Sequence, residues 1–202
     1  MREEAEQSAL AFGNYLYQLL ILTTFAGILT AALVMQYAFG ELPCPLCLLQ
    51  RAAMFGICFG IVCDFRGGFS YRNVGLSLLN AVFLLVVSVR QSLLDIYARP
   101  GHAYVGSAVF GLHMPVWSVI ISVLLLVAYA LQLAVLGGDR DLPNVPAGAL
   151  PKLKRAGEAV SLYVMALLAI NLVSVVLQCG FGQCHTFGYD LLGTGAAPAP
   201  AK

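Results

Sequence analysis

Charged residues are scarce in this chain: Asp, Glu, Lys and Arg together make up 10% of the 202 residues, whereas 60% are hydrophobic. A soluble domain carries about 25% charged residues, so the composition excludes a water-soluble globular protein. The formal net charge is only +1, and no basic stripe lies outside the short connecting segments, so the charge gives no reason to expect a nucleic-acid partner. We therefore expect an integral membrane protein surrounded by the lipid bilayer.

Five apolar stretches are each about long enough to cross a bilayer as a helix. They cover approximately residues 15–39, 46–63, 74–97, 116–135 and 160–178. The sequence therefore predicts an all-α integral membrane protein, one domain formed by a bundle of about five transmembrane helices. The first stretch is too long for a signal-peptide core and follows an acidic leader, residues 1–14, so we expect an uncleaved anchor.

The distribution of Lys and Arg predicts the orientation, because cytoplasmic loops carry the excess of these residues. If the connections alternate between the two sides, one side collects Arg2, Arg66, Arg72, Arg140, Lys152, Lys154 and Arg155. We predict that this side, with the N-terminus and an irregular loop over residues 136–159, is cytoplasmic. The loop before residue 46, the connection over residues 98–115 and the tail over residues 179–202 then face a periplasm, where disulfide chemistry is permitted.

The most informative motif is Pro43-Cys44-Pro45-Leu46-Cys47, followed by Gln50 and Arg51. Pro45 suits the first position of a helix, because its fixed φ is already helical and its missing N–H would lack a partner there. Cys44 is then expected near the N-cap and Cys47 in the first turn, where the free N–H groups and the helix dipole favour an anion. Arg51, four residues further on, adds a positive charge on the same face. This arrangement favours a Cys47 thiolate and a redox-active pair over a static disulfide.

The other cysteines form two further pairs. Cys179 and Cys184 follow the last predicted helix on the same side as the motif, with glycines between them that allow a short closed loop. This pair is either redox-active or a structural clip. Cys58 and Cys63 lie inside the second helix, where free cysteines pack as small apolar residues. The four outward cysteines could alternatively hold a structural zinc, although an oxidising compartment argues against a metal site.

Several polar residues near the outer helix ends are candidates for a binding site. An unpaired charge inside a membrane helix costs roughly 2 to 3 kcal/mol at the helix centre, so Arg51 and Arg90 suggest a function unless they snorkel to the headgroups. Gln91 could simply hydrogen-bond to Asp95, one helical turn away. Five further residues are of types common at the membrane interface, but they could instead line a binding site for a flat hydrophobic cofactor: Gln36, Tyr37, Tyr104, His113 and Trp117. We expect the apolar segment over residues 106–117 to lie along the interface.

On these residues the chain resembles the disulfide bond formation protein B family, DsbB, the membrane quinone reductases that reoxidise the periplasmic dithiol oxidase DsbA. The specific core of the resemblance is the motif ending in Gln50-Arg51, and the likeness extends over about residues 36–135. Val89-Arg90-Gln91 and the segment from Gly106-Ser107 to Gly111-Leu112-His113 also resemble the family. The resemblance implies a DsbB-like four-helix core over residues 15–135. The fifth predicted helix, over residues 160–178, departs from the best-known members, which have four.

The resemblance also implies roles. Cys44 and Cys47 are expected to be the quinone-proximal pair, with Cys47 contacting a ubiquinone or menaquinone and Arg51 as its electrostatic partner. Arg90, Gln91 and His113 are expected near the quinone, although Gln91 stands where the best-known members have histidine. Those members carry their second cysteine pair between helices three and four, where this chain has no cysteine.

We therefore expect a protein of the bacterial inner membrane in which Cys179 and Cys184 take the shuttle role. This pair would receive electrons from a periplasmic DsbA-like protein. Two alternatives stay open. One is a membrane metal-binding protein using the outward thiolates. The other is an enzyme of the vitamin K epoxide reductase type, whose CxxC lies in a late helix rather than an early one.

Overall fold

The structure, a computed structural model, describes residues 2–96, 108–136, 148, 150–180, 182, 184 and 188–193. The described residues form five long helices: α1 (Arg2–Ala38), α2 (Pro45–Gly67), α3 (Tyr71–Ile96), α4 (Met114–Leu136) and α5 (Pro151–Cys179). A short antiparallel hairpin, β1 (Ala108–Val109) and β2 (Leu112–His113), precedes α4, and a 3₁₀ turn (Asp190–Leu192) follows α5. All five helices are long and apolar enough to cross a membrane. The all-α membrane bundle predicted from hydropathy is confirmed.

Helix α2 lies against α1, α3 and α5, and small residues allow its closest approach to α3. A Cβ added at Gly60 would collide with the Ser77 side chain and with the Asn73 carbonyl. Ser77 in turn donates a hydrogen bond of 3.0 Å to the carbonyl of Ile57. Small residues and interhelical hydrogen bonds of this kind hold membrane helices together, because burial from lipid offers no hydrophobic gain.

An apolar core fills the middle of the bundle and separates two buried polar groups. It is formed by side chains from all five helices, among them Leu22, Phe25, Leu29, Ile57, Ile61, Leu84, Leu125, Val164 and Leu167. One polar group surrounds the first turns of α2 and is described below as the redox site. The other, which we call the Asp64 cluster, consists of Asp64, Gln18, Ser70 and Asn73.

In the Asp64 cluster, a carboxylate that is 1% exposed ties the turn between α2 and α3 to α1. Asp64 Oδ2 accepts from Gln18 Nε2 at 2.6 Å. Its Oδ1 accepts from Asn73 Nδ2 at 2.7 Å and from the backbone N–H of Ser70 at 3.0 Å. These bonds satisfy a buried charge that would otherwise be costly.

Two predicted boundaries differ from the structure. Helix α5 begins at Pro151, whereas residues 136–159 were expected to be irregular throughout. Pro151 is acceptable because it occupies the first helical position, and Lys154 Nζ lies 3.7 Å from Glu158 Oε1, one turn later. At the other end of the chain, α1 already begins at Arg2, within the expected leader.

The segment expected to lie along the interface is divided in the structure. Its described part forms the hairpin and then the first turn of α4, which begins at Met114. The hairpin turn consists of Phe110 and Gly111, with φ of 51° and 77°. Residues 106 and 107, and the candidate Tyr104, lie outside the described residues.

Candidate redox site

The local geometry of the CxxC motif follows the prediction from its two prolines. Cys44 is the N-cap of α2 and Pro45 is the first helical residue. The Cys44 Sγ accepts a hydrogen bond of 3.1 Å from the backbone N–H of Cys47. Interaction with the Cys47 side chain, and then burial, raise the pKa of the Cys44 thiol. When this pair is reduced, a proton therefore stays on Cys44.

A chain of side-chain amides holds both sulfur atoms. Gln91 Nε2 donates to Cys44 Sγ at 3.5 Å and to Cys47 Sγ at 3.4 Å. Its carbonyl oxygen accepts from Gln50 Nε2 at 3.0 Å. Because Gln50 occupies that oxygen, the amide of Gln91 is oriented with its N–H groups toward the cysteines. Gln91, which was expected near a quinone, contacts both sulfur atoms and is 4% exposed.

Arg51 is buried, at 8% exposed, and points into the bundle rather than snorkelling to the surface. Its Nη1 donates to Gln36 Oε1 at 2.7 Å and to Asn171 Oδ1 at 3.2 Å, and its Nη2 donates to the carbonyl of Ala32 at 3.0 Å. All three acceptors are neutral. Within the described part of the chain, these bonds use three of the five N–H groups of the guanidinium. The positive charge is therefore oriented by its neighbours and available to an anion or a carbonyl oxygen.

A cavity of about 410 Å³ opens beside Cys47 and Arg51. Cys47 lines this cavity, whereas Cys44 is not among its lining residues. The rest of the wall is mainly apolar and comes from α1, α2, α4, the loop before Cys44 and the hairpin tip: Ile28, Ala31, Ala32, Met35, Glu41, Leu42, Pro43, Gln50, Met54, Phe110, Met114, Trp117, Ser118 and Ile121.

The character of this cavity fits a quinone headgroup. Its volume lies within the range of small-molecule sites, roughly 300 to 1,000 Å³. Its walls can cover a flat apolar ring, while the Arg51 guanidinium can donate to a ring oxygen and Cys47 offers a sulfur on the same wall. Trp117, expected either at the interface or at a cofactor, lies at the cavity.

The second cysteine pair lies at the same end of the bundle. Cys179, the last residue of α5, forms a disulfide with Cys184. The preceding residue, Gln178, is fully buried and donates from Nε2 to the carbonyl of Pro43 at 2.9 Å. Since Pro43 directly precedes Cys44, this hydrogen bond joins the ends of the two segments that carry the cysteine pairs.

The structure does not bring every predicted residue to the cavity. Arg90 is exposed on the outer face of α3, in a shallow groove with Leu85, Val86, Val89, Leu93 and Leu94. His113 is half-buried at the end of the hairpin and is not among the lining residues. Cys58 is fully buried in the apolar core, as expected of a cysteine that packs as a small apolar residue.

The sequence reasoning missed two polar residues on α5, Asn171 and Gln178. With Ser174, which hydrogen-bonds to Tyr37, they stand at positions i, i+3 and i+7 of an otherwise apolar helix. This spacing places the three side chains on one face. A polar stripe on a membrane helix could therefore have identified them, because such residues face the bundle interior.

The described residues contain no group of three or more His, Cys, Asp or Glu side chains placed to hold a metal ion. Two of the four outward cysteines are paired in a disulfide. The metal-binding alternative therefore has no observation in the described part of the chain to support it.

Comparison with known proteins gives one family match, and it lies over the first three helices. Residues 14–102 match the family described as Disulfide bond formation protein DsbB. The match covers a little under half of the chain, begins earlier than the predicted likeness and ends before α4. No curated protein and no solved structure matches the chain. The resemblance seen in the CxxC motif is thus confirmed, and it supports a membrane oxidoreductase that forms disulfide bonds.

Proposed function

We propose that this protein is a thiol:quinone oxidoreductase, which reoxidises a periplasmic DsbA-like dithiol protein and passes the electrons to a membrane quinone. The observation that carries the proposal is the division of the CxxC pair: Cys47 lines the cavity beside Arg51, whereas Cys44 does not. One sulfur is thus available to a cofactor and the other to a second cysteine pair. A quinone bound in the cavity would accept the two electrons released when the pair is reoxidised.

The first exchange takes place at the second pair. A thiolate of the partner attacks Cys184 Sγ, the Cys179–Cys184 bond breaks, and Cys179 leaves as a thiolate. The second thiolate of the partner then attacks the partner's sulfur in the mixed disulfide. This forms the disulfide of the partner and releases Cys184 as a thiolate. The partner leaves oxidised and the pair on this chain is reduced. Cys184 is the expected target because Cys179 is held by the end of α5 and is 7% exposed, while Cys184 lies five residues further along the chain.

The second exchange moves the electrons to the CxxC pair. Because Cys47 lines the cavity and Cys44 does not, Cys44 is the sulfur that the second pair attacks. The Cys179 thiolate attacks Cys44 Sγ, and Cys47 leaves as a thiolate. Cys184 loses its proton and attacks Cys179 Sγ as a thiolate, which restores that disulfide and releases Cys44 as a thiolate. Cys44 then takes up a proton, because its pKa is raised. Cys47 carries negative charge beside Arg51 at the cavity wall, held by the amide of Gln91.

The orientation in the membrane belongs to the same proposal. Both cysteine pairs lie at one end of the bundle, and the Lys- and Arg-rich connections lie at the other, where α2 ends and α5 begins. By the positive-inside rule, the basic end is cytoplasmic and the cysteines face the periplasm of a bacterial inner membrane. Disulfide transfer to a soluble partner is possible on that side.

An anaerobic titration tests the proposal. Purified protein in detergent is mixed with a reduced DsbA-like protein and a soluble quinone, and quinone absorbance is recorded while free thiols are counted. We expect one quinone reduced for each partner disulfide formed. Bound zinc or copper in stoichiometric amount without quinone turnover would overturn the proposal in favour of a metal-binding protein.

A further inference from the structure

The hydrogen bond between Gln178 and Pro43 lies between the two cysteine pairs. Gln178 directly precedes Cys179, and Pro43 directly precedes Cys44, so each cysteine is one residue, about 3.8 Å along the chain, from a partner in this bond. Gln178, Cys179 and Cys44 are all buried. A buried amide on a carbonyl is a directional contact, because the N–H must point at the oxygen.

The rest of the α5 polar face fixes the same helix against α1 and α2. Asn171 accepts from Arg51, and Ser174 is hydrogen-bonded to Tyr37. Three polar contacts along one face thus set the rotation of α5 about its axis. Only the last of them, from Gln178, contacts the segment that leads into the CxxC motif.

We propose that Gln178 is a positioning residue for thiol–disulfide exchange between the two pairs, a role that rests on the proposed function. By holding the end of α5 on the Pro43 carbonyl, it keeps Cys179 close to Cys44. The step it serves forms the Cys179–Cys44 sulfur bond and breaks the Cys44–Cys47 bond, with Cys47 leaving as a thiolate. Gln178 touches no reacting atom and gains or loses no electron.

The test uses two reductants that enter the relay at different points. A reduced DsbA-like protein must act through Cys179 and Cys184, whereas dithiothreitol can reduce the Cys44–Cys47 disulfide directly. Gln178→Met keeps the side-chain length and removes the donor. We expect partner-driven quinone reduction to fall roughly tenfold to a hundredfold, the size of effect that a small misplacement of reacting groups causes. Dithiothreitol-driven reduction should be unchanged, which also shows that the variant is folded.

Two other α5 variants give contrast. Asn171→Leu removes a contact to Arg51 at the cavity, so it should lower turnover with both reductants in parallel. Val176→Ala changes a half-exposed side chain on another face of α5 and should alter neither rate. If Gln178→Met lowers both rates equally, Gln178 acts on the cavity or on folding and the inference is wrong.

A second readout measures the approach of the two cysteines themselves. In a Cys47→Ser, Cys184→Ser background, mild oxidation with diamide should join Cys44 to Cys179, detected by peptide mass spectrometry. Adding Gln178→Met should slow this bond formation by a similar factor. An unchanged rate would overturn the inference.

The relay and the role of Gln178 can fail separately. If Cys179→Ser, Cys184→Ser still oxidises the partner at the wild-type rate, the relay itself is wrong. If that double variant is inactive with the partner while Gln178→Met is fully active, only the positioning role is wrong.

Discussion

Within the described residues, the two ends of the bundle each bury one charged side chain among neutral hydrogen-bond partners, and the two charges differ in sign and in surroundings. At the cysteine end, Arg51 donates to two side-chain amides and one carbonyl. At the other end, Asp64 accepts from two side-chain amides and one backbone N–H. Arg51 lies at the wall of a cavity next to Cys47, whereas Asp64 is enclosed by the turn between α2 and α3.

This comparison shows that burial of a charge without a charged partner does not by itself identify a functional site. The hydrogen bonds alone would rank Arg51 and Asp64 as equivalent. The two residues differ in their other neighbours. Arg51 lies beside the Cys47 sulfur and a cavity, whereas Asp64 lies against the backbone of a turn. We therefore expect changes at Arg51 to affect the reaction, and changes at Asp64 to affect stability.

The largest expected effect comes from the sulfur at the cavity wall. Cys47→Ser should abolish quinone reduction with either reductant, because no other sulfur of the motif lines the cavity. Quinone absorbance measures the turnover. Cys58→Ala is the matched control, since Cys58 is buried in the apolar core, and it should retain turnover. Wild-type turnover in Cys47→Ser would contradict the assignment.

Arg51→Lys should have the next largest effect, although it keeps the charge. An ammonium cannot reproduce the planar donor geometry that reaches Gln36, Asn171 and Ala32 together. Loss of one hydrogen bond to a charged group corresponds to about 1.5–3 kcal/mol, so we expect kcat/KM for quinone to fall roughly tenfold to a hundredfold. Unchanged steady-state kinetics for quinone would show that the guanidinium is only a structural group.

Asp64→Asn tests the other half of the comparison. The amide places N–H groups where Asp64 accepts from Gln18, Asn73 or Ser70, so at least one bond to a charged group is lost. We expect the free energy of unfolding in detergent to fall by about 1.5–3 kcal/mol, with kcat and KM for quinone unchanged at temperatures where the variant is folded. A selective loss of quinone turnover in a fully folded variant would mean that both ends of the bundle take part in the reaction.

The smallest effect is expected at Arg90. The family resemblance suggested a role near the quinone, but the side chain lies on the exposed face of α3. Arg90→Gln should therefore leave KM for quinone unchanged. A raised KM with unchanged stability would place Arg90 back at the cofactor.

Local and periodic features of this chain could be predicted from the sequence, whereas contacts between helices could not. Hydropathy located the five helices, and Pro45 located the start of α2 and Cys44 as its N-cap, because these depend on neighbouring residues alone. The start of α5 was misplaced because Pro143, Pro146 and Pro151 indicated an irregular loop, whereas Pro151 occupies the first position of the helix.

The contacts of the redox site depend on how each helix is rotated about its axis. Gln91 could have reached Asp95 on its own helix, and only the packing of α3 against α2 directs it to the sulfurs. The same holds for Asn171 and Gln178, whose partners lie more than a hundred residues away in sequence. Without the packing, a polar stripe indicates which face of a helix points into the bundle, but it does not identify the residues that this face contacts.

The central claim, that the cavity beside Cys47 and Arg51 is the quinone site, can be tested by fluorescence because Trp117 is the only tryptophan and lines the cavity. A soluble quinone analogue is titrated into the protein in detergent while indole emission is recorded. The control is Trp117→Phe, Phe59→Trp, which moves the indole to an exposed face of α2. We predict saturable quenching in the wild type, weaker affinity in Arg51→Lys and only linear quenching in the control. Linear quenching in all three proteins, or equally saturable quenching in the control, would contradict the claim.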